Sequence, residues 1–193
     1  MNELVIVRHG ATEWSRNGRH TGHTDLPLLA EGRRDAEALR VPLAKRDFAL
    51  VISSPLSRAL DTCRIAGLGD GAETRDELLE WDYGDYEGVT TREIREGRPG
   101  WVLWRDGCPG GETAAEVGAR MDRLLAELES VDGDVAAFGH GHSLRVLAAR
   151  YLGLEPERGA LFVLSTATLS VLGTEHEWHA IRDWNAPVAR LGP

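Results

Sequence analysis

Apolar positions along this chain fall into two patterns that alternate. Leu4-Val5-Ile6-Val7, Phe48-Ala49-Leu50-Val51-Ile52 and Val135-Ala136-Ala137-Phe138 are unbroken apolar runs, too short for a helix core and suited to buried strands. Between and after them run stripes of helical period: Ala36, Leu39 and Leu43; Leu56, Ala59, Leu60 and Cys63; Val117, Met121, Leu124, Leu125 and Leu128; Leu144, Leu147, Ala148 and Tyr151. Strand and helix in alternation point to an open α/β sheet.

Punctuation sharpens the elements. The stripe over 30–46 predicts a helix that Pro42 bends or interrupts. Ser54 is the expected N-cap and Pro55 the first residue of the next helix. Thr90 with Glu93, and Thr113 with Glu116, read as capping boxes, the first opening a short helix that ends at Gly97. Leu161 to Leu172 and Glu177 to Trp184 have strand character, with a hairpin turn expected near Gly173-Thr174. Ala11 to Pro27 reads as a polar loop with one helical turn. The Gly- and Pro-rich stretch from Arg98 to Glu112 is a second long loop, whose Trp101 and Trp104 serve either as a flap over a ligand or as plugs for the core.

Chemistry collects where strands end. The first run stops at Arg8-His9-Gly10 and the third at Gly139-His140-Gly141-His142-Ser143, so two strands deliver histidines to the carboxyl end of one sheet, where open α/β sheets bind ligands. Arg58 lies in the first turn after the second run. Ser15, Thr21 and the backbone of Gly22 can offer donors from the polar loop. The stretch from Glu80 to Gly88 crowds carboxylates with Trp81, Tyr83 and Tyr86, a setting that can raise a carboxyl pKa toward that of a useful general acid, though composition does not say which carboxyl. Planar guanidinium forks suit a phosphoryl group or a carboxylate, an imidazole between them can act as nucleophile, and a carboxyl acid can protonate a leaving alkoxide.

Composition sets the bounds. At 193 residues, 42% hydrophobic, the chain suits one domain spanning 1–193. Its net charge of -9 argues against nucleic acid or an anionic membrane as partner, but not against a small anion held by a few local arginines. No apolar run is long enough to span a bilayer and no signal-like segment opens the chain, so a cytoplasmic location is the default expectation. Cys63 and Cys108 do not suggest a disulfide framework. His140-x-His142 and His176-x-x-His179 have metal-ligand spacing, but no carboxylate or Cys cluster completes a site, and no metal or other cofactor is expected. Gly139 to Ser143 has no serine at the centre of an acyl-hydrolase elbow.

Leu4 to Gly10 with Thr12 resembles the Arg-His-Gly signature of the histidine phosphatase superfamily, which includes phosphoglycerate mutases, fructose-2,6-bisphosphatases and acid phosphatases. The likeness continues through Thr21-Gly22 with Thr24 to Leu28, Ser53 to Ala59 with Thr62, Leu79-Glu80 with Tyr83-Gly84 and Glu87-Gly88, and His140-Gly141 with Ser143 to Arg145. It implies a three-layer α/β sandwich with a mostly parallel central sheet flanked by helices. It also implies His9 as the phosphorylated nucleophile, Glu80 as proton donor, and Arg8, Arg58 and His140 as the rest of the phosphate pocket, without a metal. Thr21, Gly22 and Tyr83 match positions that touch substrate in the mutase branch.

Trp14-Ser15 stands where the family commonly has Trp-Asn, which leaves the phosphate contact at Ser15 open. The chain is shorter than mutases. Its Glu80 to Gly88, Trp104 to Cys108, Gly111 to Thr113 and His140 to His142 look more like the sedoheptulose-1,7-bisphosphatase and acid phosphatase branch, in which His142 would contact substrate. Hydrolysis of phosphorylated small metabolites, sugar phosphates foremost, is therefore the expected reaction. A phosphoglycerate mutase and a non-catalytic phosphate-binding module are the alternatives. A homodimer is compatible with the tryptophans if they lie at the surface.

Overall fold

The computed structural model describes residues 1–187. Six strands form one sheet: β1 (Leu4–Arg8), β2 (Phe48–Ser53), β3 (Glu73–Thr74), β4 (Asp134–Gly139), β5 (Thr168–Glu175) and β6 (Trp178–Pro187), in the order β3-β2-β4-β1-β5-β6. Strands β1, β2, β3 and β4 pair in parallel, and β5 and β6 close one side antiparallel. The apolar runs of β1 and β4 are continuous because both faces of the sheet are covered there, whereas β2 is buried only at Ile52 and Ser53 and its Ala49 is exposed. Leu4 and Ile6 of β1, with Ile52, Val135 and Ala137, join one core cluster; Val5 and Val7, with Ala136 and Phe138, join the other.

Helices α1 (Glu13–Asn17), α2 (Ala30–Ala38), α3 (Arg40–Leu43), α4 (Ser57–Ile65), α5 (Thr91–Gly97), α6 (Leu103–Asp106), α7 (Ala114–Leu128) and α8 (Gly141–Tyr151) complete the architecture. The first core cluster takes Val117, Met121, Leu124 and Leu128 of α7 with Leu144 and Leu147 of α8, and the second takes Leu43 of α3 and Cys63 of α4. The result is the three-layer α/β sandwich, mostly parallel at its centre. Among the described residues no helix is long and apolar enough to cross a membrane.

The interruption expected of Pro42 is present: the helix over 30–46 divides at Leu39 into α2 and α3, since Pro42 has no N–H and in an unbroken helix its ring would clash with the carbonyl of Ala38. Local expectations shift in three other places. Helix α4 starts at Ser57, not Pro55: Asp25 from the polar loop accepts from the Ser57 N–H at 2.9 Å and its hydroxyl at 2.8 Å, while Ser54 turns toward His140. The hairpin ladder runs on through Gly173 against Ala180 to Glu175 against Trp178, so the turn falls at His176-Glu177, with His176 at a φ of 53°. Leu161 ends a short 3-10 segment, and β5 begins only at Thr168.

Helix α2 docks on the turn after β1 through two glycines. A Cβ on Gly10 would lie 2.3 Å from the carbonyl oxygen of Gly32, and one on Gly32 would lie 2.4 Å from that of Ala11. In an open helix Gly→Ala stabilises by roughly 1 kcal/mol. Here backbone meets backbone and cannot yield, so Gly32→Ala is expected to lower stability by about 1–3 kcal/mol. A urea midpoint at or above that of the wild type would contradict this close approach.

Candidate active site

Strands β1 and β4 end side by side, and the His9 N–H donates to the Gly139 carbonyl at 3.0 Å. The rings of His9 and His140 consequently stand 5.2 Å apart, both buried. His9 Nδ1 lies 2.7 Å from the Gly10 carbonyl oxygen, which can only accept, so the neutral ring keeps its lone pair on Nε2. Behind it, Arg58 Nε donates to His140 Nδ1 at 3.1 Å, which leaves the His140 proton on Nε2 facing Ser54 Oγ at 2.8 Å.

A cavity of about 270 Å³ opens in front of His9, lined among others by Arg8, Ser15, Arg19, His20, Thr21, Glu80, Tyr83, His142 and Arg145. Arg8 spends Nη1 on the Leu164 carbonyl, but its Nε is buried with no hydrogen-bond partner among the described residues. Such an orphaned cationic donor is costly unless an anion meets it. Glu80, 5% exposed, accepts from the backbone N–H groups of Trp81 at 2.9 Å, His142 at 3.0 Å and Ser143 at 2.8 Å, the last two at the start of α8. Burial, and next the Glu80 charge, push the Tyr83 phenol well above its usual range. It therefore stays protonated and donates to His142 Nδ1 at 2.6 Å.

The sequence-selected residues do not all share one wall. His9, Arg8, Glu80, Ser15, Thr21, Tyr83 and His142 line the cavity, whereas Arg58 and His140 stand behind it, fully buried. Arg58 also straps the polar loop, donating to the carbonyls of Thr21 at 3.2 Å, Gly22 at 2.8 Å and Thr24 at 3.0 Å. Gly22 lies off the cavity lining, its N–H held by the Glu87 carboxylate at 2.9 Å. The Ser15 hydroxyl serves the α1 capping box with Thr12, accepting at 2.9 Å and donating at 3.0 Å.

Arg19, His20, Thr91 and Arg145 line the cavity without having been singled out. Arg145 had a readable signal, since it follows Gly141 by one helical turn and so shares its face of α8; the other three sit in irregular positions or at the first residue of α5, with no periodicity to read. Trp101 is a plug, 2% exposed, with its indole N–H on the Gly107 carbonyl at 2.9 Å. Trp104 packs edge-on against Trp81 and His142 and lies beneath the Arg145 guanidinium, 4.7 Å away. Among the described residues no three His, Cys, Asp or Glu side chains gather as a metal ion requires.

Burial, reinforced by Arg8 and Arg58 beside His9, by Arg58 beside His140 and by Arg145 beside His142, holds all three imidazoles well below their ordinary pKa of 6.5. They are neutral in the folded chain near neutral pH, as a nucleophilic nitrogen must be. Below pH 6.5 the unfolded chain takes up protons that the folded chain refuses. Stability from this source is thus complete above that pH and declines as pH falls toward the folded-state values, by about 1.4 kcal/mol per pH unit for each ring. Urea midpoints between pH 7 and 5.5 are expected to fall accordingly, with a shallower slope in His9→Ala; an unchanged slope would show that His9 charges freely in the folded state.

Comparison with known proteins bears on this site. The model of the histidine phosphatase superfamily (branch 1) matches residues 4–187. An acid phosphatase of Mycobacterium tuberculosis (strain ATCC 25618 / H37Rv) is 42% identical, over 91% of this chain and 88% of its own. The sedoheptulose 1,7-bisphosphatase of Saccharomyces cerevisiae (strain ATCC 204508 / S288c) is 37% identical, over 78% of this chain and 67% of its own. Among solved structures, the product of the open reading frame Rv3214 from Mycobacterium tuberculosis superposes with a TM-score of 0.92 at 40% identity, covering 97% of this chain and 98% of that one. With its strand-end histidines, its arginines and its buried carboxylate in this arrangement, the chain belongs to the histidine phosphatase superfamily, branch 1, and is a phosphoric monoester hydrolase.

Proposed function

We propose that the protein hydrolyses phosphate monoesters of small metabolites, sugar phosphates foremost, through a phosphohistidine on His9 with Glu80 as proton donor and no metal. The observation that carries this reading is the lone pair of His9 Nε2 in a cavity where a buried Arg8 Nε lacks a partner and Glu80 supplies the carboxyl. In the first half-reaction Nε2 attacks phosphorus, the P–O ester bond breaks, and the alkoxide takes its proton from Glu80. In the second, water attacks the phosphohistidine, Glu80 takes the water's proton, and the P–N bond breaks to release inorganic phosphate and neutral His9. Arg8 meets charge on the transferring oxygens from the cavity wall, and Arg58 and His140 add fixed dipole and charge from behind. The names of the relatives, an acid phosphatase and a sugar bisphosphatase, favour small phosphate esters as substrates.

Phosphate release from a panel of alkyl and aryl esters, with EDTA present, is the direct test. Wild type is expected to turn over, and His9→Ala to lose more than about 10³-fold in kcat. Loss of turnover with EDTA would remove the metal-free route, and undiminished turnover by His9→Ala would remove the phosphohistidine. Interconversion of 2- and 3-phosphoglycerate without phosphate release would instead identify a mutase.

A further inference from the structure

Glu80 sits in a segment without regular structure, between the 3-10 turn at Asp76–Leu78 and the one at Gly84–Tyr86. No sheet ladder fixes its backbone. A proton donor must nevertheless hold its place to within a fraction of an ångström, so something else has to set the position of this segment. Five hydrogen bonds of residues 77–82 lead to one pair of side chains and its backbone.

Arg120, on α7 and 8% exposed, grips the Glu112 carboxylate with a two-pronged fork, Nε to Oε1 at 2.8 Å and Nη2 to Oε2 at 3.0 Å. Its remaining nitrogen, Nη1, donates to the carbonyls of Glu77 at 2.5 Å and Leu79 at 2.7 Å, just before Glu80. Glu112 takes hold of the residues just after it: Oε2 accepts the Asp82 N–H at 2.9 Å, its carbonyl accepts the Trp81 indole N–H at 2.8 Å, and its N–H donates to the Asp82 carbonyl at 2.8 Å. Gly111 makes this approach possible, because a Cβ there would stand 2.3 Å from the Asp82 carbonyl oxygen. Leu79, Glu80, Asp82, Glu112 and Arg120 also line a common cavity of about 180 Å³.

We infer that the Glu112–Arg120 pair is a positioning device for the proton donor, holding the backbone on both sides of Glu80 so that its carboxyl meets the leaving oxygen. A pair of this kind gives little net stability, since the cost of desolvating two charges offsets most of their attraction. What the fork supplies is direction. A lysine at 120 keeps the charge and loses the fork, and a glutamine at 112 keeps the shape and loses the charge.

The inference rests on Glu80 being the acid, and the test separates the two. The readout is kcat/KM, which reports formation of the phosphohistidine, measured on the fastest alkyl ester of the panel and on p-nitrophenyl phosphate. The nitrophenolate leaves without help, whereas an alkoxide needs its proton. Arg120→Lys and Glu112→Gln are each expected to lose about tenfold or more on the alkyl ester and less than about threefold on the aryl ester, in the same sense as Glu80→Gln. The inhibition constant of inorganic phosphate is expected to stay within about twofold of wild type, since the anion pocket is untouched.

Equal losses on both esters, a phosphate constant that moves with them, or wild-type rates on both would overturn the positioning role. If Glu80→Gln itself leaves the alkyl-to-aryl ratio unchanged, the acid assignment fails, and this inference with it. Should Arg120→Lys not fold, Glu112→Gln carries the same comparison alone.

Discussion

Strands β1 and β4 pair in parallel with Leu4 against Val135 and Arg8 against Gly139, and the rest of the site depends on that register. It brings the two histidine-bearing turns to one edge at the same height, and the His9 N–H closes the last rung on Gly139. A slip of one residue would send Val5 and Val7 into the opposite core cluster and separate the imidazoles. Apolar packing on both faces therefore fixes the geometry of the candidate site as firmly as any bond inside it. From the far side of β1, Ala167 adds its N–H to the carbonyls of Arg8 and His9 at 3.1 Å, so the turn is held from both neighbouring strands.

Electrostatics follow from the same arrangement. Arginines and histidines are buried together, and the imidazoles respond by giving up their protons while the guanidiniums keep theirs. Positive charge is thereby concentrated on groups that cannot act as bases, and the lone pair is left on the group that can attack. Among the described residues Glu80 is the one carboxylate on the cavity lining, and the N–H groups at the start of α8 aim at it.

Much of this was legible in the chain. The parallel strands β1, β2 and β4 declared themselves as unbroken apolar runs, although β2 is buried only at its end, and the capping boxes at Thr90 and Thr113 are where the sequence puts them. His9, Arg8 and Glu80, which line one cavity, can be singled out because they lie at a strand end or in a recognisable motif. Bonds formed across long stretches of sequence were not legible. Asp25 caps α4 from 32 residues away, so the helix begins two residues later than Ser54-Pro55 suggests. Arg58 divides itself between loop carbonyls and His140, and Arg120 reaches back 41 residues to Leu79. An arginine's partners depend on tertiary proximity, which local spacing does not encode.

The tryptophan loop has a consequence for how a ligand meets the site. Trp101 is sunk in the core, and Trp104 is wedged between Trp81, His142 and Arg145, so these rings stand behind the cavity lining and are not a door over it. Their freedom is given up when the chain folds, and none of it remains to be lost when an ester arrives. Encounter on this side is with His142 and Arg145, already backed by Trp104, and what an incoming molecule must surrender is chiefly its own motion and its own water.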